Sequence, residues 1–271
     1  MMSALKTIFA ATRSLLKQWR VMAVMAAIYA SLLAVLFFFI ATKEATRWQV
    51  LLTLVFAALA PALFFLLQAM MVNYAHGEAK IVTLLRRSFK DSCRLALASL
   101  PFALLAVLGL YLLNKLHTYS AFQIPFPHFP QETWPPVRPR SSTLGSTPPL
   151  SWSHLSFSTL RLLVFAIILP LGAIHLWGAT IREGLFKAIK GLPRNLARAF
   201  APEAALTYTV GLVLFALIPY ILLFTHTPAN STWVDLTLFV ARLLLVFIFT
   251  LYGWALTIAA LAGNAKGAAE I

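Results

Sequence analysis

Six stretches of this chain are long, apolar and free of charge, and no other feature constrains its folding so tightly. Val21 to Ala41, Val50 to Val72, Leu95 to Asn114, Leu162 to Ile181, Ala204 to Thr225 and Leu243 to Asn264 contain no Asp, Glu, Lys or Arg. A helix needs ~20 residues to cross a ~30 Å hydrocarbon core, and each stretch is close to that length. Lipid offers the backbone no hydrogen-bond partners, so such runs are expected as helices rather than loops or open strands. Composition agrees, with 61% hydrophobic and only 11% charged residues, against roughly 25% charged in soluble domains. The expected fold is all-α: one integral membrane domain, a polytopic helical bundle. Its spans are placed at about 21–41, 50–72, 97–114, 161–181, 204–225 and 238–262. The third is the shortest, with Pro101 near its start. The first run is longer than the ~7–15 residues of a signal-peptide core, so a retained span is expected.

The net charge of +14 is unevenly placed. With six spans, the N-terminal segment, 73–99, 182–203 and the C-terminal tail share one side of the membrane, and they hold 15 of the 22 Lys and Arg residues. The positive-inside rule then places both termini in the cytoplasm and the 117–158 loop outside. That loop is rich in proline, which favours turns and polyproline II over regular helix or sheet.

Much of the inner charge falls on helical stripes. Lys6, Arg13, Lys17 and Arg20 recur at helical spacing, as do Lys80, Arg87, Lys90 and Arg94, and again Lys187, Lys190, Arg194 and Arg198. Opposite each stripe lies an apolar one, such as Leu185, Ile189, Leu192, Leu196 and Phe200 in the third segment. Each segment precedes a pair of spans, so the chain reads as three tandem units of basic helix, span, span. Three basic amphipathic helices at the interface are therefore expected, with Pro193 kinking or dividing the last. Such helices rest at the headgroup boundary, where anionic lipids attract their cations. The twelve stripe cations form the candidate surface for anionic lipid or a partner protein. They also serve as ordinary topological anchors. Nucleic acid is not an expected partner.

Polar groups inside the spans are few, and ionisable ones there deserve a functional hypothesis. His175, Gln68 and Asn73 form the candidate intramembrane polar set. His175 is expected to be buried and hydrogen-bonded across helices, and Gln68 and Asn73 to bond neighbouring helices. Glu203, behind Pro202, suits the first turn of a helix. Pro61, Pro170 and Pro219 fall within spans, where they either kink a transport pathway or are simply tolerated. Cys93 is the only cysteine, so no intrachain disulfide forms. Asn230-Ser231-Thr232 is a glycosylation sequon. The histidines show no HxH or HxxxH spacing, and no Walker loop, GxGxxG, HExxH or GxSxG occurs. No catalytic residue, metal ligand or cofactor is assigned.

A basic helix such as REGLFKAIKGLPRNLARAF feeding a span pair resembles a group of bacterial six-span proteins. These include the membrane domain attached to some glycerophosphodiester phosphodiesterases, and uncharacterised relatives. The resemblance implies a helical bundle in a bacterial cytoplasmic membrane. The chain departs from it in having no phosphodiesterase domain and in its long proline-rich loop, and no functional residue carries over. Three function classes remain open. The first is a non-enzymatic membrane subunit or scaffold engaging anionic lipid, a partner protein or a second copy of the chain. The second is a small-solute transporter or channel, and the third an intramembrane lipid-acting enzyme.

Overall fold

A computed structural model of the protein describes residues 18–42, 46–78, 80–122, 152–225 and 232–267. Among these residues every regular element is a helix. Helix α1 spans Trp19–Ala41, and α2 spans Arg47–Ala75. Thr46 caps α2 reciprocally with Gln49: the Gln49 amide donates to Thr46 Oγ1 (3.3 Å) and the Thr46 amide to Gln49 Oε1 (2.9 Å). Helix α3 covers Ile81–Phe122, α4 covers Trp152–Leu162, and α5 covers Leu169–Glu183. Two short helices follow, α6 (Leu185–Lys190) and α7 (Leu192–Ala199), then α8 (Pro202–Leu212), α9 (Ile218–Phe224) and α10 (Thr232–Gly267).

Among the described residues six helical segments are long and apolar enough to span a membrane: Trp19–Ala41, Arg47–Ala75, Ile81–Leu116, Ser156–Glu183, Pro202–Phe224 and Trp233–Ala262. By length and composition the chain is a multi-pass membrane protein with an all-α bundle fold. Long rows of exposed side chains, among them Leu104, Val107, Leu108 and Tyr111 on α3, form the apolar surface such a protein presents to acyl chains.

Two of the mid-span prolines act on their helices in the same way. A π-helical stretch, Leu163–Ile168, comes just before Pro170, and another, Val213–Leu217, comes just before Pro219. Proline has no amide hydrogen and crowds the carbonyl four residues back. Widening the preceding turn relieves that clash without unwinding the helix, and the Leu169 and Ile218 amides bond five residues back, to Val164 and Val213. Pro61 and Pro101 lie inside uninterrupted α-helix. The prolines therefore leave each span helical throughout.

The second basic segment is not a separate interfacial helix, as the sequence led us to expect. It forms the first turns of α3, which runs unbroken into the third span. Residues 81–100 contain no Gly or Pro to stop the helix, and Pro101 is tolerated within it. The third basic segment is divided, but at Gly191 rather than at Pro193. Gly191 closes α6 and opens α7, while Pro193 occupies the first turn of α7, where its missing amide costs nothing. Gly184, at φ +87°, makes the turn from α5 into α6 in a conformation that favours glycine. The first basic segment, with Lys6, Arg13 and Lys17, lies outside the described residues, as does most of the 117–158 loop.

The chain forms two compact units, one of residues 1–100 with 170–271 and one of residues 101–169. Within the first, α1 and α10 pack on α2, and α8 and α9 pack on α10. Its core holds Met25, Met70, Met71, Leu95, Leu171, Leu176, Leu256 and Ile258. Two glycines bring spans five and six together: Gly211 faces Thr257, and Gly253 faces Phe215. In the second unit Arg161 donates to Asn114 Oδ1 at 2.6 Å, joining α4 to the later part of α3.

Candidate functional site

The functional residues of the first unit gather at one end, where α2 and α5 finish and α3 and α8 begin. This basic end has three parts: a cationic surface, a buried polar knot and a small cavity.

Helices α6 and α7 supply the surface. Ala188, Asn195 and Ala199 are buried, and Asn195 donates from Nδ2 to the Ala188 carbonyl across the Gly191 turn (3.3 Å). That bond ties the two short helices to each other, and their small side chains form the buried face. Lys187, Lys190, Arg194 and Arg198 are then all exposed. So are Phe186, at 85%, and Phe200, at 47%. The apolar stripe read from the sequence is thus divided. Leu185, Leu192 and Leu196 are half-buried, whereas Ile189 and Phe200 project with the cations. Arg20 and Lys80 are exposed as well, with the Arg20 guanidinium 5.8 Å from the Trp19 ring centroid.

The second stripe is only partly available. Lys90 is exposed, but Arg87 and Arg94 are drawn to carboxylates. Arg87 lies 3.4 Å from Glu78 and 3.8 Å from Asp91, and Arg94 lies 3.3 Å from Asp91. Asp91 is 5% exposed, on the buried stripe Leu84, Ser88, Asp91, Leu95, Ala98. Asn73, fully buried at the end of α2, donates from Nδ2 to both Ser88 Oγ and Asp91 Oδ2 at 3.2 Å. Buried charge persists only when paired and hydrogen-bonded, and Asp91 has both kinds of partner. Asn73 therefore locks α2 to α3, and two of the cations expected to face lipid also balance a buried acid. Sequence reasoning missed Asp91, Ser88 and Glu78. The available signal was an acid on the apolar stripe of a segment otherwise rich in Arg and Lys.

Deeper in the bundle, Gln68 is 2% exposed and accepts from Trp254 Nε1 at 2.8 Å, joining α2 to α10. Trp177 Nε1 likewise donates to Ser99 Oγ at 2.8 Å. These are cross-helix bonds of the kind expected for polar groups in spans. His175 departs from expectation: its Nε2 is enclosed and has no hydrogen-bond partner among the described residues. It lines the cavity at the basic end, beside His76 and Arg182. Among the described residues no group of three His, Cys, Asp or Glu is placed to hold a metal. Glu203 takes the first turn of α8 behind Pro202, as its position suggested. Cys93 is an exposed free thiol.

Among the described residues two further clefts lie between the spans. One of about 230 Å³ between α1, α2 and α10 is walled by Leu32, Leu36, Phe64, Leu67 and Met71, with Gln68 among the few polar lining residues. The other, of about 100 Å³, lies beside the Gly211 and Gly253 contacts. Neither is lined by an ionisable group other than tyrosine.

Comparison with protein families, curated proteins and solved structures finds no match for this chain.

Proposed function

We propose that the protein is a non-enzymatic membrane subunit or scaffold whose basic end rests on anionic lipid at the cytoplasmic face. The observation that carries this reading is the sorting of side chains on α6 and α7. Small residues are buried against the protein, while Lys187, Lys190, Arg194, Arg198 and the aromatic Phe186 and Phe200 face outward together. An exposed phenylalanine among cations suits a headgroup boundary, since the ring enters the acyl layer and the cations stay with the phosphates. Each cation near an anionic leaflet contributes about 1 kcal/mol, and a buried Phe ring about 1.5–3 kcal/mol. The charge asymmetry supports cytoplasmic termini and an external 117–158 loop. A partner protein or a second copy of the chain would dock on the same inner surface.

Replacing Lys187, Lys190, Arg194 and Arg198 together with Gln tests the reading. In detergent micelles doped with phosphatidylglycerol or phosphatidylcholine, wild type should prefer the anionic lipid, and rising salt should reduce that preference. The quadruple variant should lose most of it, by several kcal/mol at most. An unchanged preference in native mass spectrometry would leave these residues as topological anchors alone.

A further inference from the structure

At the basic end, the cavity between α2, α5 and α10 has a volume of about 30 Å³ and is lined by His76, His175, Gly178 and Arg182, with Val72 and Ile258 among its apolar walls. Three observations set it apart from the other clefts. Its nitrogen-bearing side chains are a guanidinium and two imidazoles, and among the described residues no carboxylate lines it. His175 Nε2 is enclosed without a partner among the described residues, a costly arrangement for a buried polar atom. A Cβ added at Gly178 would meet nothing within 4 Å, so the glycine leaves open space on the cavity wall.

We propose that this cavity binds the oxyanion of a phosphate group, with Arg182 and His175 as its principal ligands and His76 at its edge. Two local bonds orient the site. Arg182 Nε donates to the Gly178 carbonyl at 3.3 Å, and His76 Nδ1 donates to the Val72 carbonyl at 2.7 Å. The forked guanidinium suits phosphate oxygens. A cation is a poor occupant, because it would meet Arg182 with no acid or thiolate among the described lining residues to hold it. His76 follows the end of α2 at Ala75, and Arg182 lies one residue before the end of α5 at Glu183, so both stand at the ends of spans, the depth of lipid phosphates. A water-sized occupant needs at least about 10–15 Å³ on this measure. The cavity therefore admits one or two phosphate oxygens while the remainder of the headgroup stays at its mouth. The site is separate from the α6–α7 surface and does not depend on it.

Native mass spectrometry of the full chain, after delipidation, with added phosphatidic acid or with diacylglycerol of the same chains tests this site. Titration with inorganic phosphate followed by ³¹P NMR supplies the second arm. Wild type should retain one equivalent of phosphatidic acid and none of diacylglycerol. Arg182→Gln should weaken that binding at least tenfold, and Gly178→Leu, which fills the open space, should abolish it. A variant with Lys187, Lys190 and Arg194 replaced by Gln should keep the tight equivalent, which separates this site from the lipid-facing surface. Retained phospholipid assigns the site to a headgroup, whereas saturable inorganic phosphate without retained lipid assigns it to the free ion. Arg182 is exposed, so its replacement should leave folding intact if Gly178→Leu does not. Unchanged retention in a variant that melts like wild type would overturn the proposal, as would equal retention of diacylglycerol.

Discussion

Gly253→Ala probes how closely spans five and six approach. A Cβ at residue 253 would overlap Phe215 Cβ and Cγ outright and lie 2.7 Å from Cδ1. Carbon atoms in contact settle at about 3.5–4.0 Å, so even the most distant of the three is about 1 Å too near. Turning the Phe215 ring relieves Cγ and Cδ1 only in part and Cβ not at all, because Cβ is fixed to the backbone. The helices must separate, and Phe215 sits in the π-helical stretch before Pro219, where the backbone is already adjusted. Overlap this deep belongs at the upper end of the about 1–3 kcal/mol that overpacking costs, and Gly→Ala within a helix returns up to about 1 kcal/mol, leaving a net loss of about 2 kcal/mol. Gly109→Ala is the control, since a Cβ there meets nothing within 4 Å and only the helix-propensity gain applies. Thermal unfolding in one detergent should place Gly253→Ala below wild type and Gly109→Ala at or above it. Equal melting of the two variants would refute the close approach.

Other perturbations follow from the polar contacts. Asn73→Ala strips buried Asp91 and Ser88 of a shared donor and should cost about 1–3 kcal/mol in unfolding experiments, whereas Lys90→Ala, at an exposed position, should fall within about 0.5 kcal/mol of wild type. The Gln68–Trp254 pair, tested by a double-mutant cycle with Gln68→Leu and Trp254→Phe, should show a coupling of about 0.6 kcal/mol, as is average between membrane helices. In a Cys93→Ala background, a cysteine at Ser141 should react with an impermeant reagent added to intact cells, and one at Ser3 should not. The reverse pattern would invert the proposed topology.

The spans were legible because each is a run near the membrane's own thickness, a signal that neighbouring helices cannot alter. The fate of the basic segments was not, because a helical stripe looks the same whether the helix lies along an interface or continues into a span. Residues 81–95 show the ambiguity: their periodicity was read correctly, but only the absence of a breaker before Pro101 makes them part of α3. The division of the last segment was foreseen but attributed to Pro193, although glycine at 191 is the residue that ends one helix and starts the next. Gln68 and Asn73 were recognised as cross-helix bonders. Their partners were not, since Trp254 lies 186 residues from Gln68 and only the packed bundle brings them together. His175 was singled out for its place in a span, but the cavity it shares with Arg182 and His76 depends on how α2, α5 and α10 converge.

The central claim, that α6 and α7 lie on an anionic membrane surface with Phe186 immersed, has a direct test. Cysteines replacing Phe186 and Arg194 in turn, in a Cys93→Ala background, can carry an environment-sensitive fluorophore in nanodiscs of phosphatidylglycerol or phosphatidylcholine. With doxyl-labelled lipids as quenchers, the probe at 186 should be quenched by shallow acyl-chain labels and shielded from aqueous iodide. The probe at 194 should sit at headgroup level, and both should lie deeper in phosphatidylglycerol. Equal iodide access at both positions, indifferent to lipid charge, would mean the helix pair stands in water and would contradict the account.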